Sequence, residues 1–180
     1  ILTIDNPDYP EMLRVISAPP LLLYVKGDPC CLSELQVAIV GSRRGSYHGR
    51  RLAHQLSRGL SDRGIVVTSG LAKGIDGAAH QGALAGSGKT LGVLGSGLDV
   101  IYPSEHRRLA SHIIERGALV SEYRPCTKPK PHHFPQRNRI ISGLSHGVVV
   151  VEAARQSGSL ITVEHALDQG REVFAVPGVA

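Results

Sequence analysis

No run in this chain approaches the roughly 18 consecutive apolar residues that a membrane-spanning helix needs, so a helical membrane protein is excluded. Cysteine is scarce: Cys30, Cys31 and Cys126 form neither a CxxC pair nor an even set. A disulfide framework and a structural zinc are therefore excluded, and a reducing cytoplasm is the expected setting. Tryptophan is missing and phenylalanine occurs only twice. Several catalytic signatures are missing as well. There is no Gx4GK[ST], no GxSxG and no HExxH, and Gly95-Ser96-Gly97 lacks the later glycine of a dinucleotide fingerprint. Internal repeats and low-complexity segments are also lacking. Neither a methionine nor a signal-peptide pattern opens the chain at Ile1, so these 180 residues are expected to begin inside a longer protein.

What is present is apolar enough, at 42% of residues, for a buried core. The net charge of +5 is modest, but it is unevenly spread. Residues 1–36 hold two basic and five acidic side chains. Residues 41–73 hold seven basic ones (Arg43, Arg44, Arg50, Arg51, Arg58, Arg63, Lys73) against Asp62 alone. A second basic stretch, residues 124–139, carries Arg124, Lys128, Lys130, Arg137 and Arg139 with no acid. Clusters of this kind point to a polyanionic partner. A solvated basic surface without function is the alternative.

From Val37 onward, short aliphatic runs alternate with helix-length amphipathic stretches. Val37–Val40, Ile65–Thr68, Thr90–Leu94, Ala118–Val120, Val148–Val151 and Val173–Val176 read as strands buried on both faces. Helices are expected near 46–63, 75–86, 104–116, 135–144 and 159–169, with Gly64, Gly117 and Gly170 where C-caps would stand. The alternation predicts an α/β fold: a doubly wound, mainly parallel sheet with helices on both faces. Residues 1–36 read as a short N-terminal extension, with Pro19-Pro20 in a turn and Leu21–Lys26 as an edge strand. Residues 37–180 form the main domain.

Four segments have the residue types to hold phosphate. Gly41-Ser42-Arg43 follows the first strand and precedes a helix. Glycine lets backbone approach an anion, the helix start attracts it, and Arg43 offers a forked cation. Ser69-Gly70-Leu71-Ala72-Lys73 repeats this arrangement after the next strand, so Arg43 and Lys73 are expected on one rim. Asp76 reads as a loop brace or helix start in preference to a catalytic carboxylate. His133-Phe134-Pro135-Gln136-Arg137-Asn138-Arg139 opens a later helix. Its arginines and amide suit phosphates, and Phe134 suits base stacking or, equally, core packing. Adjacent His132 and His133 have no third ligand at helical spacing, so no metal is expected there. Ser157-Gly158-Ser159 forms either a further phosphate contact or a plain helix cap. No cofactor is expected.

These motifs together resemble the DprA/Smf family, the DNA-processing proteins of natural transformation. The resemblance rests on Val40–Arg43, Ser69–His80, Gly95–Pro103, Ser121–Tyr123, Phe134–Leu144 and Ser157–Thr162, in order, with Tyr9–Gly27 as lead-in and Val176-Pro177-Gly178 as closing strand. It implies an extended Rossmann-like fold that binds single-stranded DNA and helps load the RecA recombinase. Arg43, Lys73 and the Phe134–Arg139 segment are the binding positions it carries over. It further implies a homodimer in the full-length protein, with flanking helical and winged-helix-like domains outside these residues. The expected partners are thus single-stranded DNA and RecA, with no membrane and no enzymatic role. Two rivals stay open. One is a phosphoribohydrolase-like enzyme, faintly echoed by Glu164 after the Ser157–Thr162 loop although the PGGxGTxxE signature is missing. The other is a nucleotide-binding sensor.

Overall fold

A computed structural model describes residues 1–154 and 157–177. Gly178, read above as part of the closing strand, lies outside the described residues. The elements run β1 (Leu2–Thr3), α1 (Glu11–Arg14), β2 (Leu22–Gly27), β3 (Gln36–Gly41), α2 (Tyr47–Ser61), β4 (Val66–Ser69), α3 (Ile75–Ala85), β5 (Thr90–Val93), α4 (Arg107–Arg116), β6 (Ala118–Ser121), α5 (His133–Leu144), β7 (Gly147–Val151), α6 (Gly158–Asp168) and β8 (Glu172–Ala175). Short 3-10 turns cover Pro29–Leu32 and Ser104–His106.

One eight-stranded sheet has the order β1-β2-β6-β5-β4-β3-β7-β8. Strands β3 to β8 pair in parallel, while β2 runs antiparallel to both β1 and β6. The doubly wound reading is therefore correct. From β3 the chain winds outward through β4, β5 and β6, then returns to place β7 on the other side of β3. Right-handed crossovers force the helices of the two windings onto opposite faces. Accordingly α2, α3 and α4 pack together on one face, and α1, α5 and α6 on the other.

Aliphatic side chains fill both layers. Ile140, Ile141 and Leu144 of α5 and Ala166 of α6 meet Val40, Val93, Val120 and Val150 of the sheet. The opposite layer is thinner. Ala53, Ala78, Ala79 and Ala83 bring α2 and α3 against Ile39, Val67 and Val151. A Cβ at Gly82 would lie 2.1 Å from the His54 carbonyl oxygen, so only glycine permits this helix contact.

Three expectations are corrected. Leu21–Lys26 was expected as an edge strand. It becomes β2, second from the edge, because β1 hydrogen-bonds along its outer side. Val173–Val176 was expected to be buried on both faces. It forms β8, the opposite edge, and Phe174 is 55% exposed because nothing among the described residues covers it. The helix expected over 104–116 begins with the 3-10 turn and becomes α-helical only at Arg107.

Candidate nucleic-acid interface

Strands β3 and β7 are neighbours, yet α2 leaves one toward one face and α6 leaves the other toward the opposite face. A crevice must open outside their carboxyl ends, which is where ligands bind in doubly wound sheets. A cavity of about 480 Å³ lies there. Gly41–Arg44 after β3 form one wall, and Ala154, Ser157, Gly158 and Ser159 after β7 form the facing one. The floor comes from Ala72 and Asp76 after β4, with Phe134, Arg137 and Asn138 of α5 closing the end.

Ser42 is the hub of the first wall. Its N–H donates to the Glu152 carbonyl at 2.8 Å, and its own carbonyl accepts from Gly45 and Ile75, each at 3.2 Å. Its hydroxyl accepts from the Arg44 N–H at 3.1 Å. Arg43 is thereby held outward, its guanidinium 5.2 Å from the Phe134 ring centroid in a cation–π contact. Phe134 is half-buried and rests on Gly95, where a Cβ would lie 3.1 Å from the ring, and beside Tyr102, whose ring centroid is 5.7 Å away. Arg44 also lines the cavity, although the sequence marked it only as part of a basic cluster.

Gly41 serves packing first. A Cβ there would stand 1.9 Å from the Val151 carbonyl oxygen and 2.7 Å from Ile75, so no side chain fits between β7 and α3. The helix start that follows is not open to an outside anion either. The Glu152 carboxylate accepts from the Ser46 N–H at 2.9 Å and the Ser46 hydroxyl at 2.7 Å, while Ser46 Oγ caps the Gly49 N–H at 3.0 Å. Glu152 reaches this position with φ of 59°, a left-handed conformation unusual outside glycine. A carboxylate beside a helix N-terminus is stabilised by the helix dipole. The α2 start, expected from sequence to attract phosphate, thus carries an internal cap. Glu152→Ala is expected to lower unfolding free energy by about 0.5–2 kcal/mol, the usual worth of an N-cap. Urea unfolding of the two proteins measures it, and unchanged stability would remove Glu152 from this role.

The second expected loop turns largely inward. The Ser69 hydroxyl donates to the Ile39 carbonyl at 2.6 Å and is fully buried. Gly70 carries the Arg137 guanidinium against it: a Cβ would meet both terminal nitrogens at 2.6 Å. Asp76 braces this loop, its Oδ2 accepting from the N–H groups of Gly70 at 3.2 Å and Ala72 at 3.4 Å. Burial raises the Asp76 carboxyl, and the Arg137 charge opposes that rise. Lys73 points away from the cavity, with Nζ 2.6 Å from Glu105 Oε2 on the surface. That pairing holds the Glu105 carboxyl below its usual value.

On α5 the expected side chains divide. Arg137 is only 4% exposed. Its Nη1 donates to the carbonyls of Gly70, at 2.7 Å, and Val93, and its Nε to Asn138 Oδ1 at 3.3 Å. Burial lowers its guanidinium to about 10, which leaves it charged at neutral pH. Asn138 Nδ2 donates to the Gly158 carbonyl at 3.0 Å and so ties α5 to the start of α6. His133 is buried, its Nδ1–H donating to the Gly95 carbonyl at 3.0 Å and its ring stacked on Tyr123 at 4.1 Å. Arg139 lies outside the cavity, clamped to Glu122 at 2.7 and 2.8 Å and to the Ala18 carbonyl at 2.9 Å. At α6, Ser157 caps the Ser159 N–H at 3.3 Å, and the two hydroxyls are 2.6 Å apart. A Cβ on Gly158 would meet nothing within 4 Å, so this helix start faces open space.

The cations with freedom to meet an anion are therefore fewer than the sequence suggested. Among the described residues no carboxylate comes within 4.0 Å of Arg43 or Arg44, whereas Lys73 and Arg139 are both paired. Glu164, the residue that echoed a nucleotide-cleaving enzyme, is exposed and does not line the cavity.

A family model described as DNA recombination-mediator protein A matches residues 1–180. Protein Smf of Escherichia coli is 49% identical over 179 residues, covering 99% of this chain but 48% of its own length. The X-ray structure of DNA processing protein A from Streptococcus pneumoniae superposes with a TM-score of 0.95 at 47% identity, covering 99% of this chain and 62% of that one. DNA processing protein A from Helicobacter pylori, whose structure concerns a single-stranded DNA binding mode, gives a TM-score of 0.90 at 32% identity over 95% of this chain and 79% of that one. The chain thus spans about half the length of the Escherichia coli relative. With matching motifs, matching fold and a family model that covers every residue, the chain belongs to the DNA recombination-mediator protein A family.

Proposed function

We propose that residues 37–180 bind single-stranded DNA at the crevice between β3 and β7, largely independently of sequence. The observation that carries this reading is Arg43 held over the Phe134 ring at the cavity mouth: a cation for phosphate beside an aromatic face for a base. Phosphate contacts carry no sequence information, and a stacking ring accepts any base, so the pair selects exposed bases over particular ones. The similarity to the Helicobacter pylori protein supports the same ligand class. Within the longer protein we assign this activity to helping load RecA in the cytoplasm during transformation and recombination, with the full-length chain as a homodimer. The site is read as non-catalytic, since its buried carboxylate, Asp76, is engaged with backbone N–H groups.

Binding of a fluorescent single strand of about 30 nucleotides, its duplex and a mononucleotide, titrated with salt, tests this directly. The single strand is expected to bind best, with a steep salt dependence. Arg43→Ala is expected to cost about 1–3 kcal/mol and to flatten the salt slope. Lys73→Ala should cost less than Arg43→Ala, because Lys73 already faces Glu105. Equal affinity for the mononucleotide would instead favour a nucleotide-binding sensor or enzyme.

A further inference from the structure

On the face opposite α5 and α6, a groove of about 430 Å³ runs between α2 and α3. Its α2 wall is Tyr47, Arg50, Arg51 and His54, spaced i, i+3, i+4 and i+7 so that all four share one helix face. Its floor is Gly74 at the α3 N-cap with Gly77, Ala78 and Gln81 of α3, and the His106 ring lies against Gly77. Tyr47 is 74% exposed. An aromatic ring so open, in a chain with seven phenylalanines and tyrosines together, is not serving the core. Arg50 donates to the Gly45 carbonyl and is fixed by it. Among the described residues no carboxylate lies within 4.0 Å of Arg50 or Arg51. Glu105, next to His106 of the lining, is engaged by Lys73, and the Glu152 carboxylate at the α2 start is engaged by Ser46.

Only a backbone lip separates this groove from the cavity at β3 and β7. Gly74 lines the groove and Arg43 lines the cavity, and a Cβ on Gly74 would lie 2.7 Å from the Arg43 carbonyl oxygen and 2.3 Å from that of Ser42. Gly74 holds φ of +76°, and its missing side chain lets the Ser42–Arg43 backbone close directly onto it. We infer that the α2–α3 groove is a second contact for the same nucleic-acid strand, which passes from the cavity over Gly74 and lays phosphates against Arg50 and Arg51 with a base on Tyr47. A cationic groove with an open ring is the usual means of tracking a single strand without sequence preference. This inference rests on the strand-binding function proposed above.

The test compares strands of about 5 and about 20 nucleotides, the shorter filling the cavity alone and the longer reaching the groove. The variant Tyr47→Ala with Arg51→Glu changes two exposed side chains on a helix surface, and a thermal melt checks that it stays folded. It should bind the longer strand about tenfold more weakly, with a shallower salt slope, and the shorter strand as the original does. Unchanged affinity for the longer strand overturns the inference. So does equal weakening on both lengths, since the groove would then act only through the cavity. Arg43→Ala, expected to weaken both lengths, separates the two claims: no effect on either length overturns strand binding at the cavity itself.

Discussion

Arg137→Ala should lower unfolding free energy by about 3–5 kcal/mol, the cost of removing one member of a buried charged network. The basic character of Arg137 suggests a DNA contact, but its side chain faces inward. It joins the carbonyls of Gly70 and Val93, at the ends of β4 and β5, and its charge offsets that of buried Asp76. Alanine would leave both carbonyls without this donor and Asp76 without its nearest cation, besides opening a void. Arg137→Lys should rescue only part, because an ammonium in the place of Nη1 leaves the separate bond from Nε to Asn138 unmade. Urea unfolding reads the effect as a lower midpoint with similar slope. Normal stability combined with lost strand affinity would show that Arg137 contacts DNA after all. Arg43→Ala provides the contrast: it should change affinity and leave the midpoint near its original value.

Acidification should destabilise the protein through His80. Its imidazole is fully buried, and Thr90 fixes the tautomer. The Thr90 hydroxyl donates its only proton to the Val67 carbonyl at 2.6 Å, so His80 Nδ1–H must donate to Thr90 Oγ1, at 2.8 Å. Nε2 is then a buried acceptor without a partner among the described residues. Burial, with smaller contributions from the charges of His106 and Arg137, lowers the His80 pKa from 6.5 to about 3. Between those values the unfolded chain holds a proton that the folded protein refuses. Stability from this residue is therefore complete above pH 6.5 and falls by about 1.4 kcal/mol per unit below it. From pH 6.5 to pH 4 the loss is about 3 kcal/mol. Asp76, whose carboxyl is raised by burial, works in the opposite direction at low pH, so the comparison must cancel it. His80→Asn keeps a donor for Thr90 and does not titrate. Its stability should fall less steeply over this range than that of the original protein, and parallel pH profiles would refute the assignment.

The fold was largely legible because burial on both faces leaves a plain mark. Val148–Val151 and Ala118–Val120 have no polar alternation, which is the usual mark of a strand inside a parallel sheet. Val173–Val176 carries the same mark and misleads. Strand β8 is apolar yet exposed at the sheet edge, and sequence periodicity does not report which strand is outermost. At the site, Asp76 as a loop brace was readable from local spacing, because its partners Gly70 and Ala72 lie within six residues. Long-range partners were not. Arg137 meets Gly70 across 67 positions, and Arg139 meets Ala18 across 121. A basic side chain looks the same in a sequence whether it reaches solvent or binds carbonyls inside. Glu152 was passed over for a related reason, since its partner Ser46 is 106 residues away.

The cap that Glu152 places on α2 has a consequence for discrimination. In a doubly wound fold, the helix start beside the first strand is the natural seat for the phosphate of a free nucleotide. Here the protein keeps its own negative charge in that seat. A small ligand with a doubly charged terminal phosphate would be repelled there, whereas a polymer need not use the seat and meets the arginines along the rim. On the strand-binding function proposed above, preference for a polymer over its monomer would come partly from repulsion, which acts against the abundant competitor without tightening the grip on the strand.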